Sequence, residues 1–454
     1  MKILLIQPAK SPLSIGGEDF FIYEPLALEY IASVVANSHE VKILDMRIDK
    51  DLEKVIADFK PAVVGITSYT VHVNTVKALA DKIKNLNPEI FIVIGGHHAT
   101  VMPEDFFVPS VDLVVMGEGV FVFRNLIARL EGGKDFDGIP GLAYMKDNKQ
   151  VIVPPESFTD LDIFPFPLRS LTEEYRKYYF SEWMRPLASI RTSKGCPFRC
   201  NFCALWKLTG GKYLKRKPEL IVKELAQIKE EFVFFSDDES LVDARRMKEL
   251  ARIIKDSGIK KRYFLYGRSD TIVNNPDLIK TWREIGLERV FVGLEFFRDE
   301  DLKYIKKGST VENNKRAINI LHDNNIEIYA SFIVRPEFKK EDFIEFAAYC
   351  RSLNLNFPSF AVLTPLPGTD FYEEVKDRLI THNYDLFDFI HTILPTSMPL
   401  EEFYRMLAYL YENSKSPWKS LSFLLKYKVC EIPSLFKLLA QFKRRLTTAS
   451  SDYS

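Results

Sequence analysis

Over the first 130 positions apolar residues gather in short unbroken runs: KILLIQP (2–8), VKILDM (41–46), AVVGITS (62–68), FIVIGGH (91–97) and LVVMGEG (113–119). Runs of this length, rich in Ile and Val and bounded by turn residues, are the pattern of strands buried on both faces. Between them, residues 25–37, 52–60, 73–85 and 121–131 repeat their apolar positions at helical spacing. Strand alternating with helix predicts a parallel sheet, here a doubly wound, Rossmann-like α/β domain over 1–131. The alternation resumes at 187 with LASIRTS, then FVFFSDD (232–238), YFLYGRS (263–269), RVFVGLEF (289–296), EIYASFIV (327–334) and SFAVLTP (359–365). Helical stretches separate them near 218–230, 243–257, 276–286, 312–324 and 340–354, and six such units predict an open, partial (β/α)6 barrel over 187–381.

Two stretches break this rhythm. Residues 132–186 begin with Gly132-Gly133 and run through PPESFTDLDIFPFPLR, where the proline density predicts a wrapped, non-helical linker. Its Phe158, Phe164 and Phe166 are expected to pack between domains, and TEEYRKYYFSEW reads either as a helix over the site or as core. Residues 382–454 predict a helical C-terminal region, starting with PLEEFYRMLAYLYENS. The string SPWKSLSFLLKYKVCEIPSLFKLLAQFKRRL that follows mixes aliphatic and aromatic residues with Lys419, Lys426, Lys428, Lys437, Lys443, Arg444 and Arg445 against one acid, Glu431. Such a basic amphipathic segment reads equally as a helical pair packed on the barrel and as a peripheral membrane contact.

Composition adds bounds. A chain of 454 residues, 46% hydrophobic, has the length and apolar content for several packed domains. Lys+Arg and Asp+Glu are equal at 62, so no global charge points to nucleic acid, and none is expected as a partner. No apolar run reaches the roughly 20 residues that span a bilayer, and no leader pattern precedes Pro8. A cytoplasmic location is the expectation.

Three of the five cysteines fall within TSKGCPFRCNFCALW (192–206), at C-x3-C-x2-C spacing: Cys196, Cys200 and Cys203. Structural zinc takes four ligands, often as C-x2-C pairs, and neither a second pair nor a nearby His completes this set. Disulfide scaffolds belong to short, cysteine-dense chains. A cubane cluster is held by thiolates, normally four, so three on one loop leave one iron open. Gly195 and Pro197 permit the tight wrap. Cys350 and Cys430 read as ordinary structural thiols.

In doubly wound domains ligands sit beyond the carboxyl ends of the strands. Those ends carry Asp45, then Gly65, Thr67 and Ser68, then Gly95, Gly96 and His97, then Gly117, Glu118 and Gly119, mostly small residues that let backbone approach a large ligand. No G-x-G-x-x-G follows the first strand, which argues against a dinucleotide.

The C-x3-C-x-aromatic-C pattern resembles that of the radical SAM enzymes, and DMR, GITS, GGHHAT and VVMGEG together resemble the cobalamin-binding domain preceding the barrel in one large class of them. The chain departs from other cobalamin proteins in lacking D-x-H-x-x-G, which leaves His97 and His98 as pocket-wall residues or, less readily, cobalt ligands. The resemblance implies a [4Fe-4S] cluster on Cys196, Cys200 and Cys203, and S-adenosylmethionine held near Phe202. Asp237 and Asp238, with Glu239, would accept from its ammonium, Arg268 would fork to its carboxylate, Glu295 would take ribose hydroxyls, and Val334 with Ile333 would line the adenine. FFSDDES, YGRSDTI, TWREIGLERVFVGLEFF, VLTPLPGTDFY and HTILPTSMPLEEFY resemble, more narrowly, the hopanoid C-3 methylase subgroup.

The activity so implied is methylation of an unactivated carbon on a hydrophobic, hopanoid- or isoprenoid-like lipid, through a 5′-deoxyadenosyl radical and methylcobalamin. An external one-electron reductant of flavodoxin or ferredoxin type would feed it. Other relatives imply ring or carbon–carbon bond formation on a lipid or porphyrin without methyl transfer. Methylthio transfer would need a second cluster, for which two lone, distant cysteines are a poor source. A non-catalytic cobalamin or redox sensor leaves the acidic and arginine strand ends unexplained.

Overall fold

The computed structural model describes residues 1–133, 135–157, 160–356, 358–416 and 423–453. Phe158 and Lys419 therefore lie outside the described residues.

The first sheet has seven strands: β1 (Lys2–Gln7), β2 (Glu40–Asp45), β3 (Val63–Thr67), β4 (Phe91–Gly95), β5 (Leu113–Val115), β6 (Leu142–Lys146) and β7 (Lys149–Ile152), in spatial order β2-β1-β3-β4-β5-β6-β7. The first five run parallel, paired in register from Lys2↔Glu40 to Gln7↔Asp45 and from Val63↔Phe91 to Thr67↔Gly95. Alternate residues serve opposite faces: Leu4, Ile6, Val64 and Ile92 pack under the helices Leu52–Phe59 and Val73–Leu86. Ile3, Leu5, Val63 and Val93 pack under Leu26–Val35 and Gly119–Gly132. Both faces are covered, which is why these strands read as unbroken apolar runs.

The connection 132–186, expected as a wrapped, non-helical linker, contains a hairpin. Its β6–β7 hairpin is antiparallel and adds two strands to the sheet edge, so the first sheet outgrows residue 131. The hairpin escapes the apolar pattern because only Leu142, Ala143 and Tyr144 are buried, while the rest of it carries Lys, Asn, Asp and Gln at a solvent edge. TEEYRKY falls in a 3-10 helix, Arg169–Tyr178, at the domain boundary.

That boundary is bolted by buried ion pairs. Glu24 accepts from Arg176 and from the Ser189 amide. Arg169 reaches Glu224 at 2.8 Å, Arg216 reaches the same carboxylate, and Arg176 reaches Glu230 at 2.6 Å. Thr172 Oγ1 donates to Glu29 at 2.5 Å. Buried charges survive only when paired in this way, and the pairing fixes how the domains sit together.

The second sheet is a six-stranded parallel partial barrel in sequence order: β8 (Leu187–Ile190), β9 (Phe232–Phe235), β10 (Arg262–Arg268), β11 (Leu287–Glu295), β12 (Glu327–Val334) and β13 (Ser359–Val362). Its outer face, with Val233, Phe235, Leu265, Val292, Phe332 and Phe360, packs into the helices. Its inner face is aromatic, with Phe234, Phe264, Tyr266, Phe291 and Tyr329. The C-terminal helices Leu400–Asn413 and Ile432–Thr448 pack on each other and on the barrel; Phe442 meets Tyr411 at 5.0 Å and Phe20 at 5.4 Å. No helix among the described residues is long and apolar enough to cross a membrane.

Candidate active site

The cysteine loop leaves β8 and doubles back under Gly195. Its φ is +86°, and a Cβ there would stand 2.1 Å from the Lys212 carbonyl oxygen, so only glycine fits this turn. The Gly195 amide donates to Asp238 at 2.6 Å. The far side is pinned by Asn201, whose amide bonds the Ile305 carbonyl at 3.2 Å and whose side chain bonds the Tyr304 carbonyl at 3.1 Å. Trp206 Nε1 donates to the Cys200 carbonyl at 3.0 Å.

Cys196, Cys200 and Cys203 are all free thiols. Burial pushes Cys196 up to about 11 and Cys203 up to about 12, with the neighbouring cysteines adding to both. The three are thus close, yet no three His, Cys, Asp or Glu side chains among the described residues converge where one ion would sit. Thiolates on different irons of a cubane need no such convergence, so these donors suit a cluster better than a single ion. As protonated thiols they must shed protons on loading.

The strand ends divide into groups spent on the protein and groups facing open space. Asp237, 1% exposed, accepts from the Thr192 amide, the Thr192 hydroxyl and the Ser193 amide at 2.6–2.8 Å. It anchors the root of the cysteine loop and has little left for an ammonium. Asp238 is more accessible and keeps an oxygen beyond its Gly195 bond. Arg268, expected to fork to a free carboxylate, is already committed. It bonds Asp270 at 2.9 and 3.1 Å and the Lys307 carbonyl at 2.5 Å, stacks on Phe198 at 3.7 Å, and reaches Cys200 Sγ at 3.8 Å. Glu295 pairs with Lys307 at 2.6 Å and sits at φ +63°. Val334 faces outward into the helix layer and is fully buried there, so it cannot line an adenine; the alternation turns Ile333 inward instead. Phe202 is partly buried against the barrel core.

Glu239, named among the acceptors, is 2% exposed. Its Oε1 takes the Thr271 hydroxyl at 2.9 Å and its Oε2 has no partner in the protein. Desolvation raises its carboxyl to about 7. A buried orphan oxygen beside the cysteine loop is the kind of acceptor a bound ammonium satisfies.

The carboxyl ends of the first sheet open on a cavity of about 1120 Å3, mouth included. Gly65, Thr67, Gly95, Gly96, His97, Gly117, Glu118 and Gly119 all line it. A Cβ on Gly96 (φ +107°) would clash with the Ser68 backbone at 2.7 Å, so backbone itself forms the wall. Asp45 and Ser68 do not line it. Asp45 is fully buried in a fork with Arg47, and the Ser68 backbone pairs with Gly95 and His98. His98 is likewise buried, held by Thr70 and Asp105. His97 reaches the cavity and keeps accessible surface there; desolvation by the enclosing walls, with Arg191 and Lys194, lowers its pKa and favours the neutral ring. A backbone-walled cavity at the carboxyl ends of the strands is where a doubly wound domain takes its ligand.

The far wall comes from residues outside the sequence expectation: Tyr30, Phe164, Arg191 and Lys194. Lys194, two residues before Cys196, forms an ion pair with Glu118, joining the cysteine loop to the cavity. For Arg191 and Lys194 the one sequence signal was position, since IRTSK links the first barrel strand to the cysteines, and Phe164 had been expected only to pack between domains.

The B12 binding domain family matches residues 14–127 and the Radical SAM superfamily matches 190–350. Hopanoid C-3 methylase of Methylococcus capsulatus is 31% identical over 411 residues, covering 89% of this chain and 78% of its own. An uncharacterised methyltransferase of Pyrococcus horikoshii is 29% identical, covering 87% and 88%. Anaerobic magnesium-protoporphyrin IX monomethyl ester cyclase of Rubrivivax gelatinosus is 28% identical, covering 87% and 73%. Among solved structures, OxsB with aqua-cobalamin and S-adenosylmethionine bound superposes with a TM-score of 0.75 at 16% identity, covering 99% and 71%. TsrM from Kitasatospora setae with cobalamin and a [4Fe-4S] cluster bound gives 0.65 at 22%, covering 83% and 78%. At these identities both speak to the fold alone.

Proposed function

The chain belongs to the cobalamin-binding radical SAM superfamily, as a radical SAM methyltransferase, and from that premise we propose that it methylates an unactivated carbon of a neutral, hopanoid- or isoprenoid-like molecule. The observation that carries the reading is the joining of two sites: the cavity at the first sheet and the cysteine loop share one wall through the Lys194–Glu118 pair. When bound, the cluster, S-adenosylmethionine and cobalamin supply an electron, a radical source and a methyl group.

The chain's own residues hold and orient. Cys196, Cys200 and Cys203 would hold the cluster, and Arg268, bonded to Cys200 and stacked on Phe198, fixes the loop. Glu239 and Asp238 offer the acceptors for an ammonium. Gly65, Gly95, Gly96 and Gly117 let the backbone close on the corrin, with neutral His97 and Glu118 at its edge. The buried ion pairs of the domain boundary keep water and misalignment out.

Sequence similarity to the hopanoid methylase supports a polycyclic lipid; the similar cyclase keeps ring closure on a tetrapyrrole as the second reading. The basic C-terminal segment, with Leu425, Val429 and Phe436 exposed, supports peripheral contact with an anionic membrane from the cytoplasmic side. Anaerobic lipid extracts of a deletion strain and its complemented counterpart test the reading: the complemented strain should hold a lipid about 14 Da heavier, one CH2, as implied by methyl transfer. Identical lipid profiles would refute it.

A further inference from the structure

The outer side of the cysteine loop carries a charge pattern the reaction scheme does not use. From Arg191 to Pro218 there are eight Lys and Arg and no Asp or Glu, in a chain whose charges balance at 62 each. Arg191, Lys194 and Arg216 turn inward and line the first-domain cavity. Arg199, Lys207, Lys212, Lys215 and Lys217 are exposed. Three of these meet a carboxylate: Lys207 reaches Asp370 at 2.5 Å, Lys215 reaches Asp243 at 2.8 Å and Lys217 reaches Asp162 at 3.3 Å. Lys212 bonds the Ser157 hydroxyl at 2.9 Å instead. A second segment adds to this face. Asn201, between Cys200 and Cys203, bonds the Ile305 and Tyr304 carbonyls, which sets residues 304–308 against the loop and leaves Lys306 exposed beside it. Asp299, which shares a shallow recess with Lys306, accepts from the Val311 amide at 2.7 Å. Among the described residues, Arg199, Lys212 and Lys306 form no ion pair, so three unmatched cations surround the three cysteines.

Trp206 sits among them. Its indole is half-buried, with the Arg199 guanidinium 5.2 Å and the Lys207 ammonium 4.9 Å from the ring centroid, and its Nε1 donates to the Cys200 carbonyl. Trp and Arg side by side are the residues that dominate the centres of protein interfaces. This Trp is fastened to the backbone of a residue that would hold the cluster. The face lies beyond the carboxyl end of β8, whereas the basic C-terminal segment packs at the opposite end of the barrel, where Lys426 meets Glu327, the first residue of β12. The two basic surfaces are therefore separate.

We infer that this face, centred on Trp206 and ringed by Arg199, Lys207, Lys212 and Lys306, is the docking surface for the electron donor, and that the donor is a small protein with an acidic rim around its redox group. Complementary charge of this kind speeds encounter and orients the partner. A donor seated on Trp206 has its redox group over the cysteine loop; it is oxidised by one electron, the centre held by the cysteines is reduced by one, and no bond is made or broken. The inference rests on the radical SAM reading of the cysteines and is independent of the substrate, so the docking and the methylation can fail separately.

The test uses the full chain, reconstituted anaerobically, and an acidic bacterial flavodoxin. Oxidised flavodoxin should bind at low salt, and added salt should weaken the complex. Arg199→Glu with Lys212→Glu should weaken binding about tenfold, as for two surface charges reversed, and Lys306→Glu about threefold. Arg199→Lys should bind like the parent, as should Lys280→Glu on the outer helix Pro276–Glu284. Bleaching of the cluster absorbance by flavodoxin hydroquinone, followed by stopped flow, should slow in the same order. Photoreduced deazariboflavin, small and uncharged, should bleach every variant alike. Iron content checks loading; if the double variant does not load, Lys306→Glu, outside the cysteine loop, decides. Variants of this face that bind flavodoxin like the parent overturn the inference, as do variants that lose affinity for anionic vesicles or RNA and keep it for flavodoxin. Equal slowing with deazariboflavin overturns it as well, since the residues would then be structural. Normal docking and reduction by flavodoxin without a mass gain in any lipid would leave the surface standing and overturn the proposed methylation instead.

Discussion

At the scale of single residues, the site depends less on ligand side chains than on what holds them. Gly195 makes a turn no other residue fits, and Gly293 leaves room that a Cβ would take 2.4 Å from the Glu295 carboxylate and 2.9 Å from Lys307. Glu295 itself occupies left-handed space, a conformation costing about 1–3 kcal/mol that persists where its surroundings fix it. Gly195→Ala is therefore expected to lose the cluster although all three cysteines remain. Iron per chain and visible absorbance after anaerobic reconstitution would fall to the level of Cys200→Ala, while Cys350→Ala, in a helix away from the loop, would load like the parent. Normal iron in Gly195→Ala would show that the loop tolerates another path. The sequence displays the acids and arginines of the strand ends but not which are already committed. Asp237 and Arg268 look like free ligand groups in one dimension, and backbone amides, Asp270 and the Lys307 carbonyl claim them in three.

At the scale of elements, legibility followed burial. Strands covered on both faces, such as β1 and β3, announce themselves as unbroken apolar runs, and their glycine-rich ends led to eight residues that share one cavity. The β6–β7 hairpin did not announce itself, because it is a polar edge, whereas the 3-10 helix Arg169–Tyr178 was one of the two readings of TEEYRKYYFSEW and is held at the boundary by ion pairs. That boundary makes a pH prediction. Glu29, on the helix Leu26–Val35, is raised to about 8, by desolvation first and then by Glu24, opposed by Arg169, Thr172 and Arg176. In the unfolded chain it titrates near 4.5. Between these values the folded state binds the extra proton, so this group's contribution is full below about 4.5 and is lost as pH rises through about 8. The isosteric Glu29→Gln variant lacks that titration. The unfolding free energy of the parent, measured by denaturant titration, should fall relative to the variant between pH 5 and pH 8.5, by a slope of at most about 1.4 kcal/mol per pH unit. Parallel curves would mean that Glu29 is ionised in the fold.

At the scale of the whole molecule, one segment belongs to two environments. Phe423 and Tyr427 pack beneath the barrel beside Trp183, and Lys426 pairs with Glu327, so the start of the C-terminal segment closes the barrel from below. The same few residues turn Leu425 (82% exposed) and Val429 (84%) outward, with Phe436 and the exposed Lys428 and Lys437 following. The chain has no net charge, so this basic, apolar face is a local feature and not a consequence of composition. Resting on an anionic bilayer, it would hold the closed end of the barrel against the membrane surface. Co-sedimentation with vesicles of phosphatidylglycerol and phosphatidylcholine separates the two contributions. Lys428→Ala with Lys437→Ala should weaken binding to the anionic vesicles roughly thirtyfold, at about 1 kcal/mol per lysine, and raised salt should do the same. Leu425→Ser with Val429→Ser should weaken binding to anionic and neutral vesicles alike, because apolar insertion does not depend on headgroup charge. A parent protein that stays in the supernatant with anionic vesicles at low salt would reduce the segment to its part in closing the barrel.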